Sequence, residues 1–148
     1  MNDDWFDLLA ALINANARFM VVGAHALAVH GFPRATQDID VWFDVAADNV
    51  DRVWRALVAF GAPVDALEIR KADLRQLGMV IQFGLPPNRI DLLTSISGVS
   101  DFDAAWKERV SHEVRGRPIP FIGRAALLQN KRAAGRTKDL ADAELLER

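Results

Sequence analysis

The feature that most narrows the fold is Asp38-Ile39-Asp40-Val41-Trp42-Phe43, two carboxylates at alternate positions leading into an apolar run. In an extended chain alternate residues share a face, so Asp38 and Asp40 stand roughly 6.6–6.8 Å apart at the backbone, with Ile39 and Val41 turned the other way. At ~4 Å and an effective dielectric of about 20, two like charges repel by about 4 kcal/mol. Such a pair needs a cation, an arginine or a proton between its members.

Around that strand the periodicity sets out alternating helices and strands. Asp3 and Asp4 followed by Trp5, Leu8, Leu9 and Leu12 predict an amphipathic helix with acids in its first turn, ending near Asn16. Phe19–Val22 predicts a short buried strand, broken by Gly23 before a short helix over Ala24–His30 that Gly31 and Pro33 close. Asp48 is the expected cap of a second amphipathic helix with Val50, Val53, Trp54, Leu57 and Val58 on its apolar face and Gly61 and Pro63 at its end. Residues 65–76 predict an irregular turn or weak helix, and residues 78–84 and 89–94 predict two strands joined as a hairpin through Pro86-Pro87-Asn88. A helix from Asp101, extended segments at 110–114 and 118–122, and helix from Gly123 interrupted at Gly135 complete the pattern. The expected fold class is α/β (α+β): a mixed β-sheet flanked by helices, with C-terminal helices.

At 148 residues, 51% of them apolar, the chain supports one core better than two, so a single domain over 1–148 is expected. It contains no cysteine, which excludes disulfides and thiolate metal sites. The apolar runs are far shorter than a membrane span and the acidic start is unlike a signal peptide, so the expectation is a cytoplasmic protein without membrane contact. The net charge of −2 hides an asymmetry: Met1–Asp51 holds eight acids against Arg18 and Arg34, and Lys107–Lys138 holds nine Lys or Arg against Glu108 and Glu113. One end can hold metal and the other phosphate or RNA, although a lone surface charge is more often simply solvated.

Four features then fall into one order: the glycine turn at Gly23, the pair Asp38 and Asp40, Asp91 on a later strand, and Lys131 on a late helix. If the sheet sets the two acidic strands side by side, three carboxylates meet, a ligand set suited to Mg²⁺ with substrate phosphates. Two ions about 3.5–4 Å apart would serve an in-line displacement at phosphorus. A glycine turn at a helix start lets the backbone approach phosphate closely. No Gly-x-x-x-x-Gly-Lys-Ser/Thr loop occurs, which argues against a P-loop enzyme.

The set Gly23-Ala24, Arg34-Ala-Thr36-Gln-Asp38-Ile-Asp40 and Arg89-Ile-Asp91 resembles the signature motifs of the polymerase-beta-type nucleotidyltransferase superfamily. With Val22-Gly23-Ala24-His25-Ala26, His30-Gly31, Asn130-Lys131-Arg132 and Arg136-Thr-Lys138-Asp139-Leu-Ala-Asp142, the chain resembles its AbiEii-like branch of small bacterial enzymes, some of them toxins. The resemblance implies a nucleotidyltransferase fold and transfer of a nucleoside monophosphate from an NTP to a hydroxyl on RNA, tRNA in particular, or on protein. It implies Asp38, Asp40 and Asp91 as catalytic and metal-holding residues for two Mg²⁺ ions, with Mn²⁺ as a substitute. It further implies a nucleotide pocket of Gly23, Ala24, His25, Arg34, Thr36, Lys131, Lys138, Asp139 and Asp142, and a cognate toxin or antitoxin partner. Ala24 departs from the Gly or Ser common at that place and offers no hydroxyl, so phosphate contacts there fall to backbone N–H groups or His25.

Other readings stand beside this one. The acids could form a structural ion-pair network with Arg34 and Arg89, and the fold could serve as an antitoxin or scaffold with little catalysis, as a monomer or homodimer. His25 and His30 do not share a helix face and read as half-buried histidines, His112 reads as solvent-facing, and the four tryptophans read as core.

Overall fold

The computed structural model describes residues 1–148. Helix α1 (Asp3–Asn14) starts where the Asn2 side chain accepts the Trp5 N–H, and it buries Trp5, Leu8, Leu9 and Leu12. It stops two residues short of the expected end, where Ala15 leaves helical geometry and Asn16 takes a positive φ. Strand β1 (Phe19–Val22) is buried throughout and turns directly into α2 (Gly23–Val29). Strand β2 (Asp38–Phe43) carries the two acids, and α3 (Ala47–Phe60) follows. A 3-10 turn at Lys71–Arg75 precedes the hairpin of β3 (Val80–Phe83) and β4 (Arg89–Leu93). Helix α4 (Phe102–Lys107), the hairpin of β5 (Val110–Val114) and β6 (Arg117–Phe121), then α5 (Arg124–Ala134) and α6 (Thr137–Leu146) complete the chain.

The six strands form one mixed sheet in the order β3-β4-β2-β1-β6-β5. Strands β2 and β4 run parallel and pair Asp40 with Asp91 and Asp38 with Arg89, whereas β1 runs antiparallel to β2 and pairs Val22 with Asp40. Because side chains alternate, this register puts Asp38, Asp40, Arg89 and Asp91 on one face and Ile39, Val41, Ile90 and Leu92 on the other. The second face is closed by α1 and α3, with Phe60 of α3 against Phe83 of β3 at 6.1 Å between ring centroids. On the acidic face Trp42 meets Phe102 of α4 at 4.9 Å. Helices therefore flank both sides of the sheet.

Three local expectations are corrected. Ala46, not Asp48, is the residue before α3, and Asp48 lies in its first turn facing Arg18. Val58 is exposed, because the stripe facing the sheet runs through Asn49, Val50, Val53, Ala56 and Leu57 instead. Trp5 and Trp42 are core, whereas Trp54 and Trp106 are half-buried. No helix is long and apolar enough to cross a membrane.

Candidate functional site

The parallel pairing of β2 with β4 gathers acids that lie far apart in the chain. One carboxylate oxygen each from Asp38, Asp40 and Asp91 lies within 4.8 Å of the others. Burial, the Asp38 and Asp91 charges and a hydrogen bond with Asp91 push the Asp40 carboxyl up to about 7, opposed by Lys131. Without a cation, Asp40 keeps its proton to near neutrality, which is how a crowded acid cluster relieves its own repulsion.

Asp38 and Asp91 are each oriented by neighbours. The Thr36 hydroxyl lies 3.0 Å from Asp38 Oδ1, Arg89 donates to Asp38 Oδ2 at 2.6 Å, and Gln82 Nε2 donates to Asp91 Oδ1 at 3.0 Å. Arg89 Nε is 3.5 Å from Asp91 Oδ1, too poorly aligned to bond, and it is buried without a hydrogen-bond partner. Arg89 thus bonds Asp38 and only approaches Asp91. Gly23, at φ 68°, closes the floor, since a Cβ built there would overlap Asp40 Oδ2. Glycine is the one residue that suits both the left-handed backbone and this close approach.

Opposite the acids stands a cationic wall built by α5 and α6. Lys131, buried in α5, is held by Asp142 at 3.1 Å and Asp139 at 3.5 Å, both buried in α6. Asp142 also takes Arg34 at 2.5 Å, and Asp139 takes Arg136 at 2.7 Å. The Arg136 guanidinium holds the Asp139 carboxyl below the usual carboxylate range. Two buried carboxylates therefore fix three cations around one opening. That opening is a cavity of about 300 Å³ whose walls include Gly23, Ala24, Arg34, Thr36, Asp38, Asp40, Arg89, Asp91, Lys131, Arg136 and Lys138. Its size is at the lower end for small-ligand sites, and the Arg89 bridge does not fill it.

Most residues singled out in the sequence line this cavity, and three do not. Asp139 and Asp142 stand behind Lys131 and position it, so they build the wall without forming it. His25 is absent from the lining; its ring packs edge-on against Trp5 at 4.9 Å, its Nε2 is buried without a partner, and burial lowers its pKa. With His25 turned away and Ala24 lacking a hydroxyl, polar contacts at the α2 end fall to the backbone. Arg89 pairs with the acids as the ion-pair reading expected, whereas Gln82 and Arg136 were missed as site residues. Arg89 lies two residues before Asp91 on one strand and so shares its face, whereas only the β3–β4 register makes Gln82 its neighbour.

A cavity of about 1290 Å³, the largest, lies on the opposite face between α1, α3 and the β3–β4 loop. Its walls carry alanines, prolines and phenylalanines with scattered charges, whereas the converging acids and cations lie in the smaller cleft. The chain matches no model of a known protein family, and no curated protein matches it.

Proposed function

We propose that this is a Mg²⁺-dependent nucleotidyltransferase of the polymerase-beta type, which moves a nucleoside monophosphate from an NTP to a hydroxyl and releases pyrophosphate. The observation that carries the reading is the meeting of three carboxylates with a wall of cations across one cleft. Oxygen-only donors of this kind fit a hard divalent cation, Mg²⁺ or Mn²⁺, held by Asp38, Asp40 and Asp91. When bound, such ions, two in the full arrangement, neutralise the phosphates and the acids together. The chain's own residues do the rest. Lys131, Arg34, Arg136 and Lys138 draw the triphosphate to the β1 side, Gly23 lets it approach the sheet, and Asp91 accepts the proton of the attacking hydroxyl. A cytoplasmic location suits this chemistry, where NTPs are supplied.

A second reading is a nucleotidyltransferase-like binding module, an antitoxin or scaffold with little catalysis. The Arg89–Asp38 bridge favours it, because it supplies the acids with a positive charge from within the chain. Pyrophosphate release separates the two. The enzyme reading expects Mg²⁺-dependent release from at least one NTP, in the presence of cell extract as acceptor source, falling at least a hundredfold in Asp91→Asn. Release equal in wild type and Asp91→Asn, or none in either, leaves the binding module.

A further inference from the structure

The sheet ends at β5, whose outer edge is open. Val110 to Glu113 are exposed and Val114 is half-buried. Which backbone groups of this edge are free follows from the neighbouring strand. Ile122, just past β6, donates its N–H to Val21 O at 3.0 Å and so faces β1. Alternation along the strand then turns Pro120 and Pro118 the same way and leaves Arg117, Ile119 and Phe121 to bond β5. The two prolines agree with this, since neither has an N–H to offer a partner strand. By the register of the hairpin the bonded residues of β5 are Val110, His112 and Val114, opposite Phe121, Ile119 and Arg117. Ser111 and Glu113 therefore turn their backbone N–H and C=O groups outward, away from the sheet.

An edge with free backbone groups is a template for another strand, and Val110-Ser111-His112-Glu113-Val114 complements itself. Antiparallel pairing bonds outward residues to outward residues, so a two-fold axis between two copies passes through a residue and not between two. A centre at Glu113 sets two carboxylates face to face, which destabilises the pair. A centre at Ser111 leaves Glu113 opposite Arg109 of the second copy. That guanidinium is already engaged, lying 3.8 Å over the Trp106 ring and donating to the Trp106 carbonyl at 2.8 Å. A centre at His112 pairs the whole strand. It sets Val110 against Val114, an apolar pair, and the Ser111 hydroxyl against Glu113, a carboxylate that no cation of its own chain holds. The two His112 rings meet on the axis, each backed by its own Phe121 at 5.9 Å. The arginines that flank the strand are drawn aside, Arg109 by Trp106 and Arg115 by Asp3 at 2.8 Å.

We infer that β5 is a self-association edge: a second copy of this chain pairs with it antiparallel about His112, joining two six-stranded sheets into one continuous sheet. Ser111 and Glu113 form the hydrogen-bonded pairs, and His112 forms a non-hydrogen-bonded pair on the axis with Cα atoms about 4.5 Å apart. Pairing through a five-residue strand makes a small interface, so the dimer is reversible and concentration-dependent. It is independent of the chemistry in the cleft, which lies across β2 and β4.

The chain has no cysteine, so single-cysteine variants report the register directly. Ser111→Cys, His112→Cys and Glu113→Cys each place a thiol at one of the three centres, and only a pair on the axis lies within the Cα separation of roughly 4.4–6.8 Å that a disulfide spans. In a glutathione redox buffer, His112→Cys is expected to form covalent dimer at least fivefold faster than either neighbour. Wild type is expected to sediment as a monomer–dimer mixture without larger species, and Ser111→Pro as monomer. That proline removes an N–H that β6 does not use, and Glu113→Pro is the second variant should circular dichroism show the first misfolded. Cross-linking led by Ser111→Cys or Glu113→Cys overturns the register. Equal rates in all three, a wild type that is monomeric at every concentration, species larger than a dimer, or a dimer retained by a folded proline variant overturns the self-association.

Discussion

Asp40 is the residue at which the electrostatics are most exposed to experiment. Its carboxyl is carried from 3.8 up to about 7 chiefly by burial and then by its two acidic neighbours. The folded protein thus binds that proton more tightly than the unfolded chain does. Without metal, the stability contributed by this group is complete below the ordinary carboxylate range and is lost as pH climbs through about 7. A divalent cation competes with the same proton, so its stabilisation should grow with pH. Melting curves with and without Mg²⁺ should show a larger rise in Tm at about pH 8 than at about pH 6; an equal rise at both would contradict the picture. Gly23→Ala tests the floor of the cleft. The left-handed backbone alone costs the new side chain about 1–2 kcal/mol, and the overlap with Asp40 adds to it. A lower urea midpoint together with weakened Mg²⁺ stabilisation is expected.

Between elements, the account depends on register and on the α5–α6 clamp. A one-residue slip of β4 against β2 would turn Asp91 to the opposite face. Asn49 is one device that ties the neighbouring elements down: buried in α3, it accepts the Arg18 N–H at 2.6 Å and donates to the Arg18 and Asp44 carbonyls at 3.0 and 2.7 Å. Asn49→Ala leaves those buried groups unpaired, and a loss of about 2–4 kcal/mol by urea unfolding is expected. Asp142→Asn tests the clamp. It weakens the hold on Lys131 and Arg34 without touching a ligand directly, so NTP affinity should fall several-fold while the fold persists by circular dichroism. Much at this scale was legible in sequence, because apolar periods of two and of three to four report locally: β1, α2, β2 and the β3–β4 hairpin follow from them. Asn49 was also legible, as an amide inside an apolar helical stripe, and was overlooked. The capping of α3 was not, since Asp48 finds Arg18 only once β1 and β2 are paired.

For the whole molecule, the strand order β3-β4-β2-β1-β6-β5 could not be read from the chain. No local pattern says that β4 lies beside β2, or that β1 lies between β2 and β6. Those pairings follow from how one core of buried side chains closes on both faces, and the candidate site inherits the limit. The order of Gly23, Asp38, Asp40, Asp91 and Lys131 pointed to a cleft, but Gln82 and Arg136 join it only through the tertiary fold. The basic stretch from Lys107 to Lys138 divides: Lys131, Arg136 and Lys138 line the cleft, whereas Arg115, Arg117, Arg124 and Arg132 are engaged by α1, α6 and the chain end. The protein should accordingly show weak binding to tRNA, with a shallow dependence on salt in filter-binding assays.

The central claim is that one cleft holds a divalent ion and a triphosphate between the acids and the cations. Isothermal titration of a non-hydrolysable NTP, with and without Mg²⁺, on wild type and on Asp38→Ala/Asp40→Ala, addresses it most directly. The account predicts binding that requires Mg²⁺ and disappears in the double variant. Binding that persists in that variant, or that is indifferent to Mg²⁺, would contradict it.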